Sequence, residues 1–401
     1  MKHYLIIGNG AAGNTAAESI RRLDPEGKIA IFTREKHFFY YRPALPDFLT
    51  GEKQVKDFTI HPAAWYERNG IDLYRETEIA EIDFMQKRVV AKSGKRFAYD
   101  KILLACGAKS FRPPIKGSET KGVFTLRTIE DAEAIREKAL AGRRAVVIGG
   151  GVLGLEAGNS LRKLGLEVSV VESSPRLLPR QTDGLAAAIL QRMMERMGFC
   201  FYLGAKTKEI IPEGAGMRVC LEGGDSLAAE LVLISAGVRP DLQLNDSLKL
   251  QIGKGLAVND SMETKVEGVY AAGDLVEHRD QCYGIWPASM EQGRVAGTNM
   301  TGKESAYTGT LPANVLKVAG IGLFAAGDMD PEGKREAIVQ KDEAQNRYRK
   351  FVFQDRFLVG TILLGDTRGQ EEIQRAIKMK KDMSFFKKNL ADGQFDFSCL
   401  E

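Results

Sequence analysis

At 401 residues the chain is too long for one ordinary hydrophobic core, and domain-size statistics call for two or three domains. Its 44% hydrophobic and 27% charged residues fit a globular protein and exclude a disordered, coiled-coil or collagen-like chain; glycine, at 42 residues, exceeds the usual ~7%. The 57 Lys and Arg against 53 Asp and Glu leave a formal charge of +4, with no basic block dense enough to make nucleic acid the main ligand.

A first strand reads at His3–Ile7, a buried apolar run that stops at Gly8. Gly8-Asn-Gly10-Ala11-Ala12-Gly13 follows, then a helical segment from Asn14 to Leu23 with Ala16, Ala17, Ile20 and Leu23 on one face. A second strand, Lys28–Phe32, leads to Arg34 and Glu35, the latter 22 residues after Gly13. Residues 76–91 read as β-hairpin material, and 99–105 as a buried strand ending in Ala105-Cys106-Gly107. Arg112-Pro113-Pro114 reads as a crossing between domains, because two prolines deny the backbone both helix and central strand.

The opening pattern then recurs. Strand Arg144–Ile148 runs into Gly149-Gly-Gly151-Val152-Leu153-Gly154, a helix carries Leu155 to Leu164, and strand 167–171 closes on Glu172, 18 residues after Gly154. Another apolar strand at 231–235 precedes a Gly237-Val-Arg-Pro turn, and Val269–Ala271 ends at Gly273-Asp274. From about Pro312 short strands at 314–318, 348–353 and 358–364 suggest a small α+β domain, followed by a basic tail after Arg375.

In Gly-x-Gly-x-x-Gly each glycine has its own task. The first permits a tight turn, the second lets backbone amides approach a pyrophosphate, and the third lets helix pack on strand. The phosphate then lies at the helix N-terminus, where unpaired N–H groups and the helix dipole favour negative charge. A lone copy could be only a tight turn; here two copies each lie between strand and helix with an acid at ribose distance, which indicates two dinucleotide-binding βαβ units. Glu172 would accept hydrogen bonds from both adenosine ribose hydroxyls and repel a 2′-phosphate, favouring NADH over NADPH; Arg176 reads as a solvated surface charge. In the first copy Thr33 holds the usual acid position, so Glu35 or the backbone of Arg34 and Glu35 would hold the ribose.

With these motifs in order, residues 1–370 resemble the FAD-dependent pyridine nucleotide oxidoreductases, the two-dinucleotide-fold flavoproteins related to glutathione reductase. The resemblance rests on both glycine motifs, Ala105-Cys106-Gly107, Glu156 and Ala271-Ala-Gly273-Asp274. Tyr41-Arg-Pro-Ala-Leu-Pro46, Leu126-Arg-Thr128, Trp286-Pro-Ala-Ser-Met-Glu-Gln-Gly293 and Leu316-Lys-Val-Ala-Gly320 draw it nearest to NADH:rubredoxin reductases and the flavoprotein parts of nitrite reductases. It implies an α/β fold: an FAD domain (1–112 and 245–308) split by an inserted NAD domain (113–244), plus a small C-terminal α+β domain (309–401).

It further implies FAD held by the first glycine motif with Arg34, Glu35, Arg42, Ile79, Ala105, Gly107, Gly273, Asp274, Trp286 and Lys317. Asp274 would bond the ribityl chain, and the helix beginning near Pro287 would direct its positive end at the flavin pyrimidine. NADH falls to Gly149, Gly151, Val152, Leu153, Gly154, Glu156, Glu172 and Gly237. Glu156 is the candidate catalytic residue near the nicotinamide; read by itself it is a first-turn glutamate favoured by the helix dipole.

Disulfide reductases of this superfamily carry a redox cysteine pair after the first ribose-binding strand, and the coenzyme A disulfide reductases and NADH oxidases a single cysteine nearby. His37-Phe-Phe-Tyr-Tyr-Arg-Pro-Ala-Leu-Pro46 has none, which excludes thiol–disulfide chemistry at that position. The five cysteines and the four histidines form no metal-binding spacing and read as reduced thiols and dispersed imidazoles; Cys106 and Cys282 read as structural, with redox chemistry at Cys106, beside the expected FAD site, as the alternative. Tyr40, Tyr41 and Trp286 could shield the flavin or relay electrons, although aromatic packing explains them as well.

The expected function is hydride transfer from NADH to FAD, then single electrons to a redox protein: rubredoxin first, an iron–sulfur or haem carrier next. The alternatives are an FAD- and NADH-binding electron-transfer subunit of a larger dehydrogenase or nitrite reductase-type complex, and an NADH oxidase. No apolar run approaches the roughly 18 residues of a membrane span, and the N-terminal stretch lacks a signal-peptide core, so a cytoplasmic protein is expected. Residues 375–389, basic with Ile377, Met383, Phe385 and Phe386 interleaved, read as a solvated terminal helix packed by a few apolar residues, with a docking element for a partner as the sharper alternative.

Overall fold

The computed structural model describes residues 1–245, 250, 252–318, 320–391 and 395–400. The chain divides into two compact units, one of 1–44, 53–110 and 238–310, the other of 45–52, 111–237 and 311–401.

The first unit is built on a five-stranded parallel sheet in the order Val269–Ala271, Lys101–Leu104, His3–Ile7, Lys28–Phe32, Ile71–Tyr74. Its inner strands read as unbroken apolar runs because both faces are covered: after His3 every residue to Ile7 is buried. The helix Ala11–Leu23 crosses the helix Trp286–Met300 on one of those faces at very short range. A Cβ on Gly293 would lie 2.2 Å from the Ala12 carbonyl oxygen, and one on Gly297 2.5 Å from that of Ala16. Small residues on both helices therefore let the two backbones touch. A three-stranded antiparallel sheet (Ile79–Asp83, Arg88–Ala91, Arg96–Ala98) accounts for the hairpin expected at 76–91.

The second unit repeats the arrangement, with Val123–Phe124, Leu231–Ile234, Arg144–Ile148, Glu167–Glu172 and Phe199–Leu203 in a parallel sheet. It also holds a five-stranded antiparallel sheet: Ala313–Val318, Ile321–Gly327, Phe357–Leu364, Arg347–Gln354 and Glu336–Asp342 in spatial order. The helix Gln370–Lys378 packs Ile373, Ala376 and Ile377 into that sheet's core, together with Met383, Leu390, Phe397 and Leu400.

Three expectations are corrected. The first fingerprint helix begins at Ala11 rather than Asn14, since the glycine turn leads straight into it. Val238–Pro240 is not only a turn: it pairs antiparallel with Ala108–Ser110. The basic C-terminal segment is not one continuous helix, because the helix stops at Lys378, although Ile377 and Met383 are buried as packing residues should be.

Candidate functional site

In the first unit Gly8 turns the chain at φ +124°, and its missing Cβ leaves room for the Ala105 carbonyl oxygen, which a side chain would meet at 2.0 Å. A Cβ on Gly13 would stand 2.0 Å from the Gly8 carbonyl oxygen, whereas nothing lies within 4 Å of one built on Gly10. Gly8 and Gly13 thus serve packing, and Gly10 borders open space. The first intrahelical bond runs from Asn14 N–H to the Gly10 carbonyl at 3.0 Å. No cap side chain covers the amides of Ala11, Ala12 and Gly13 ahead of it, and the first turn holds no acid. Those amides plus the helix dipole form a cradle for a pyrophosphate, so the residues fit the dinucleotide part of FAD.

The loop is held from beneath by a network the sequence reading missed. Asn14, fully buried, donates to Asn9 Oδ1 at 2.9 Å, and the Tyr66 hydroxyl bonds the side-chain oxygens of both asparagines at 2.9 Å. A polar side chain buried in a fingerprint helix is the one signal that could have exposed it.

Glu35 is not a lone carboxylate. Arg42 Nη2 donates to its Oε1 at 2.8 Å, the Tyr40 hydroxyl to its Oε2 at 2.7 Å, and Arg42 Nη1 to that hydroxyl at 2.8 Å. Burial pushes the Glu35 carboxyl up, but the Arg42 guanidinium and these bonds outweigh it and hold it below the usual carboxylate range. Arg34, the neighbouring candidate, places its guanidinium 3.1 Å from buried Asp241, which Lys109 also meets at 3.0 Å. Cys106 donates weakly to the Ile7 carbonyl at 3.8 Å, and burial pushes its thiol up to about 12. A thiol that stays protonated is a poor nucleophile, in keeping with a structural role.

On the adjoining edge, Gly273 adopts φ +87° and donates its N–H to buried Gln292 Oε1 at 2.8 Å, while Ser289 Oγ lies 3.4 Å from Asp274 Oδ1. The helix Trp286–Met300 thereby fixes Asp274 beside its own N-terminus, and the missing Cβ of Gly273 makes room for Ala12, whose Cβ it would approach at 3.2 Å. The structure thus brings Gly8–Gly13, Ala105 and Gly273-Asp274 to one end of the parallel sheet. Trp286 stacks on Phe39 (centroids 5.6 Å apart, 2° between planes) and meets Tyr41 edge-on at 5.1 Å. Ile79 is buried at the start of its strand, just past the bond from Thr77 N–H to the Thr33 carbonyl (2.8 Å). Lys317 lies in the strand Ala313–Val318 of the other unit, and its side chain is outside the described residues.

In the second unit Gly149 (φ +117°) and Gly154 repeat the packing roles, and the space around Gly151 is open to 4 Å. Leu155 N–H closes the first helical bond on the Gly151 carbonyl, leaving Val152, Leu153 and Gly154 at an uncapped, acid-free N-terminus suited to a second pyrophosphate. Buried Glu172 accepts from Gly150 N–H at 2.7 Å and Ser174 N–H at 2.7 Å, so the acid at the strand end also braces the glycine turn. Two details differ from expectation. Glu156 is the fifth helical residue, past the first turn where the dipole acts most strongly. Arg176 is half-buried, donating to the Pro179 carbonyl at 3.1 Å instead of standing in solvent. Gly237 adopts φ +89°, and its carbonyl accepts from Phe111 N–H at 2.9 Å.

Among the described residues no group of three or more His, Cys, Asp or Glu could hold a metal ion, and no helix is long and apolar enough to cross a membrane. Residues 2–293 match the family described as pyridine nucleotide-disulphide oxidoreductase, and residues 312–381 match the rubredoxin NAD+ reductase C-terminal domain. The chain is 35% identical to the assimilatory nitrate reductase electron transfer subunit of Bacillus subtilis, across 98% of its own length and 51% of that protein's. It is 36% identical to a rubredoxin-NAD(+) reductase of Pseudomonas putida, across 70% of this chain and 73% of that one. The crystal structure of NADH:rubredoxin oxidoreductase from Clostridium acetobutylicum superposes with a TM-score of 0.79 at 26% identity, covering 96% of each chain. The chain spans about half the length of several curated relatives it matches.

Proposed function

Because this chain belongs to the pyridine nucleotide-disulphide oxidoreductase family, we propose that it is a flavoprotein NADH:acceptor oxidoreductase whose acceptor is a redox protein such as rubredoxin. FAD and NADH are its cofactors. The observation that carries the reading is the pair of uncapped helix N-termini, at Gly10 and Gly151, combined with a segment 37–46 that has no cysteine. Two nucleotide cradles with no thiol relay suit electron transfer to an external carrier. Bound FAD supplies the conversion of a two-electron donor into one-electron output.

The chain's own residues bind and orient. Ala11–Gly13 amides would take the FAD pyrophosphate, Glu35 locked by Arg42 and Tyr40 would receive the ribose, and Asp274 set by Ser289 would receive the ribityl chain. In the second cradle, Val152–Gly154 amides would take the NADH pyrophosphate and Glu172 the ribose hydroxyls, its charge repelling a 2′-phosphate. We assign residues 1–112 and 245–308 to the FAD domain, 113–244 to the NAD domain and 309–401 to the C-terminal domain; the cuts after Ser110 and Gly237 lie near two of these boundaries, although 45–52 and 311–401 fall in one compact unit with 111–237.

A second reading has its own support. Relatives about twice as long, the nitrate reductase electron transfer subunit among them, favour a role as one subunit or portion of a larger electron-transfer assembly. The test common to both is anaerobic stopped-flow spectroscopy of the purified protein. It should be yellow with about one FAD per chain, and NADH should bleach the flavin at least tenfold faster than NADPH. A protein that cannot be loaded with FAD overturns the proposal, and equal rates with both nucleotides remove the role given to Glu172.

A further inference from the structure

Residues 375–389 carry six cations (Arg375, Lys378, Lys380, Lys381, Lys387, Lys388) against one carboxylate, Asp382. After the helix Gln370–Lys378 ends, Met383 N–H bonds the Arg356 carbonyl at 2.8 Å and its side chain is fully buried. From that anchor the backbone makes a hydrogen-bonded turn, with Phe386 and Lys387 N–H both reaching the Met383 carbonyl and Leu390 N–H reaching Phe386. Leu390 is buried at the far end. A turn nailed down at both ends then holds Phe385 outward, 81% exposed, with Met379 also exposed at 73%. Phe386 braces the exposed ring edge-on at 5.4 Å, Lys381 lies over Phe386 at 5.5 Å, and Lys387 is tied to Glu336.

An aromatic ring displayed on a fixed turn loses little entropy when it is covered, which is the property of an interface anchor. Its surroundings decide what covers it. Exposed Lys380 and Lys388 favour a negatively charged partner and disfavour a positively charged one. We propose that the surface around Phe385, Met379, Lys380 and Lys388 docks an acidic electron-carrier protein. This rests on the reading of the protein as a reductase of a redox carrier, and it assigns that carrier a landing site.

The experiment uses the FAD-loaded full chain, an acidic rubredoxin as carrier and menadione as a small acceptor that needs no docking. Phe385→Ser and the pair Lys380→Glu with Lys388→Glu alter only exposed side chains, so melting temperatures should match wild type. Each should raise KM for rubredoxin about tenfold or more, leave kcat and NADH-to-menadione turnover unchanged, and, for the charge pair, flatten the dependence of kcat/KM on ionic strength. An unchanged KM in both variants overturns the docking site while leaving the reductase reading intact. So does a wild-type dimer that Phe385→Ser makes monomeric, since the patch would then belong to a second copy. A wild type that reduces menadione but no acidic carrier removes the underlying reading and the docking site together.

Discussion

The two kinds of glycine in each fingerprint separate folding from ligand binding at single positions. A Cβ added at Gly13 would stand 2.0 Å from the Gly8 carbonyl oxygen, a backbone atom that cannot swing aside; Gly10 has φ −94° and open space. Gly13→Ala should therefore lower the melting temperature of the FAD-free protein, by the roughly 1–3 kcal/mol typical of overpacking or more. Gly10→Ala should keep the FAD-free protein within about 1 kcal/mol of wild type, the scale of an N-cap change, yet weaken FAD retention because the new methyl occupies the pyrophosphate approach. Differential scanning calorimetry of the FAD-free proteins and the flavin-to-protein absorbance ratio after dialysis check both. A Gly10→Ala protein that retains FAD like wild type would show that the space beside Gly10 is not the phosphate site. The Glu35–Tyr40–Arg42 ring makes a complementary point: Glu35 could be named from its distance to the glycine motif, but not the two partners that keep it ionised, because these arrive from a separate turn of chain.

At the scale of elements, the parallel strands were legible because burial on both faces writes them as unbroken apolar runs; Val269–Ala271 and His3–Ile7 were read to the residue. What failed depends on contacts distant in sequence. Nothing local marks Val238–Pro240 as a strand, since its partner Ala108–Ser110 lies more than a hundred residues earlier. Asp241 likewise gathers Arg34 across 207 positions, an ion pair no spacing rule reports. A further long-range clip is Glu230, which takes Arg144 Nη2 at 2.6 Å and the N–H groups of Arg144 (2.8 Å) and Arg143 (3.2 Å), fastening the strand Arg144–Ile148 beside Leu231–Ile234. The Arg144 side-chain bond, with the two amides, overcomes burial and holds the Glu230 carboxyl at about 2. Its folded pKa lies below the unfolded one, so the stabilisation is present above the ordinary Glu range near 4.3 and is lost as pH falls from there towards 2. Because the pair is partly solvent-exposed, Glu230→Gln should cost only roughly 2–4 °C of melting temperature at pH 7. That gap should close as pH drops below about 4, where the carboxyl of the unfolded chain takes up a proton that the folded one still refuses. Thermal melts across pH 2.5–7 check it, and a gap that widens on acidification would refute the sign.

For the whole molecule, the question is why residues 311–401 belong with 111–237 in one unit. Part of the answer is a buried polar junction. Asp183 caps the helix Gly184–Arg196 through Oδ1, which accepts Ala186 N–H at 2.9 Å, and its Oδ2 takes the Tyr348 hydroxyl at 2.5 Å and Lys350 Nζ at 3.4 Å, both from the strand Arg347–Gln354. Burial first, and then the bond to Asp183, push the Tyr348 hydroxyl pKa upward, so it stays a donor. Lys350 also donates to the Asp330 carbonyl at 2.6 Å, so one ammonium closes a loop of the antiparallel sheet while bracing the cap of the helix Gly184–Arg196. Removing one partner of a buried pair leaves the other charge uncompensated, which costs about 3–5 kcal/mol, whereas losing a single neutral hydroxyl costs about 1–2. Lys350→Met should therefore destabilise more than Tyr348→Phe. The double variant should cost less than the sum, because each already disturbs the same carboxylate. If this junction is what makes the two segments unfold together, hydrogen exchange in Lys350→Met should show the strand Arg347–Gln354 opening at lower denaturant than Arg144–Ile148, where wild type opens both at once. Simultaneous opening in Lys350→Met would mean that the apolar contacts around the junction, and not the charges inside it, hold the unit together.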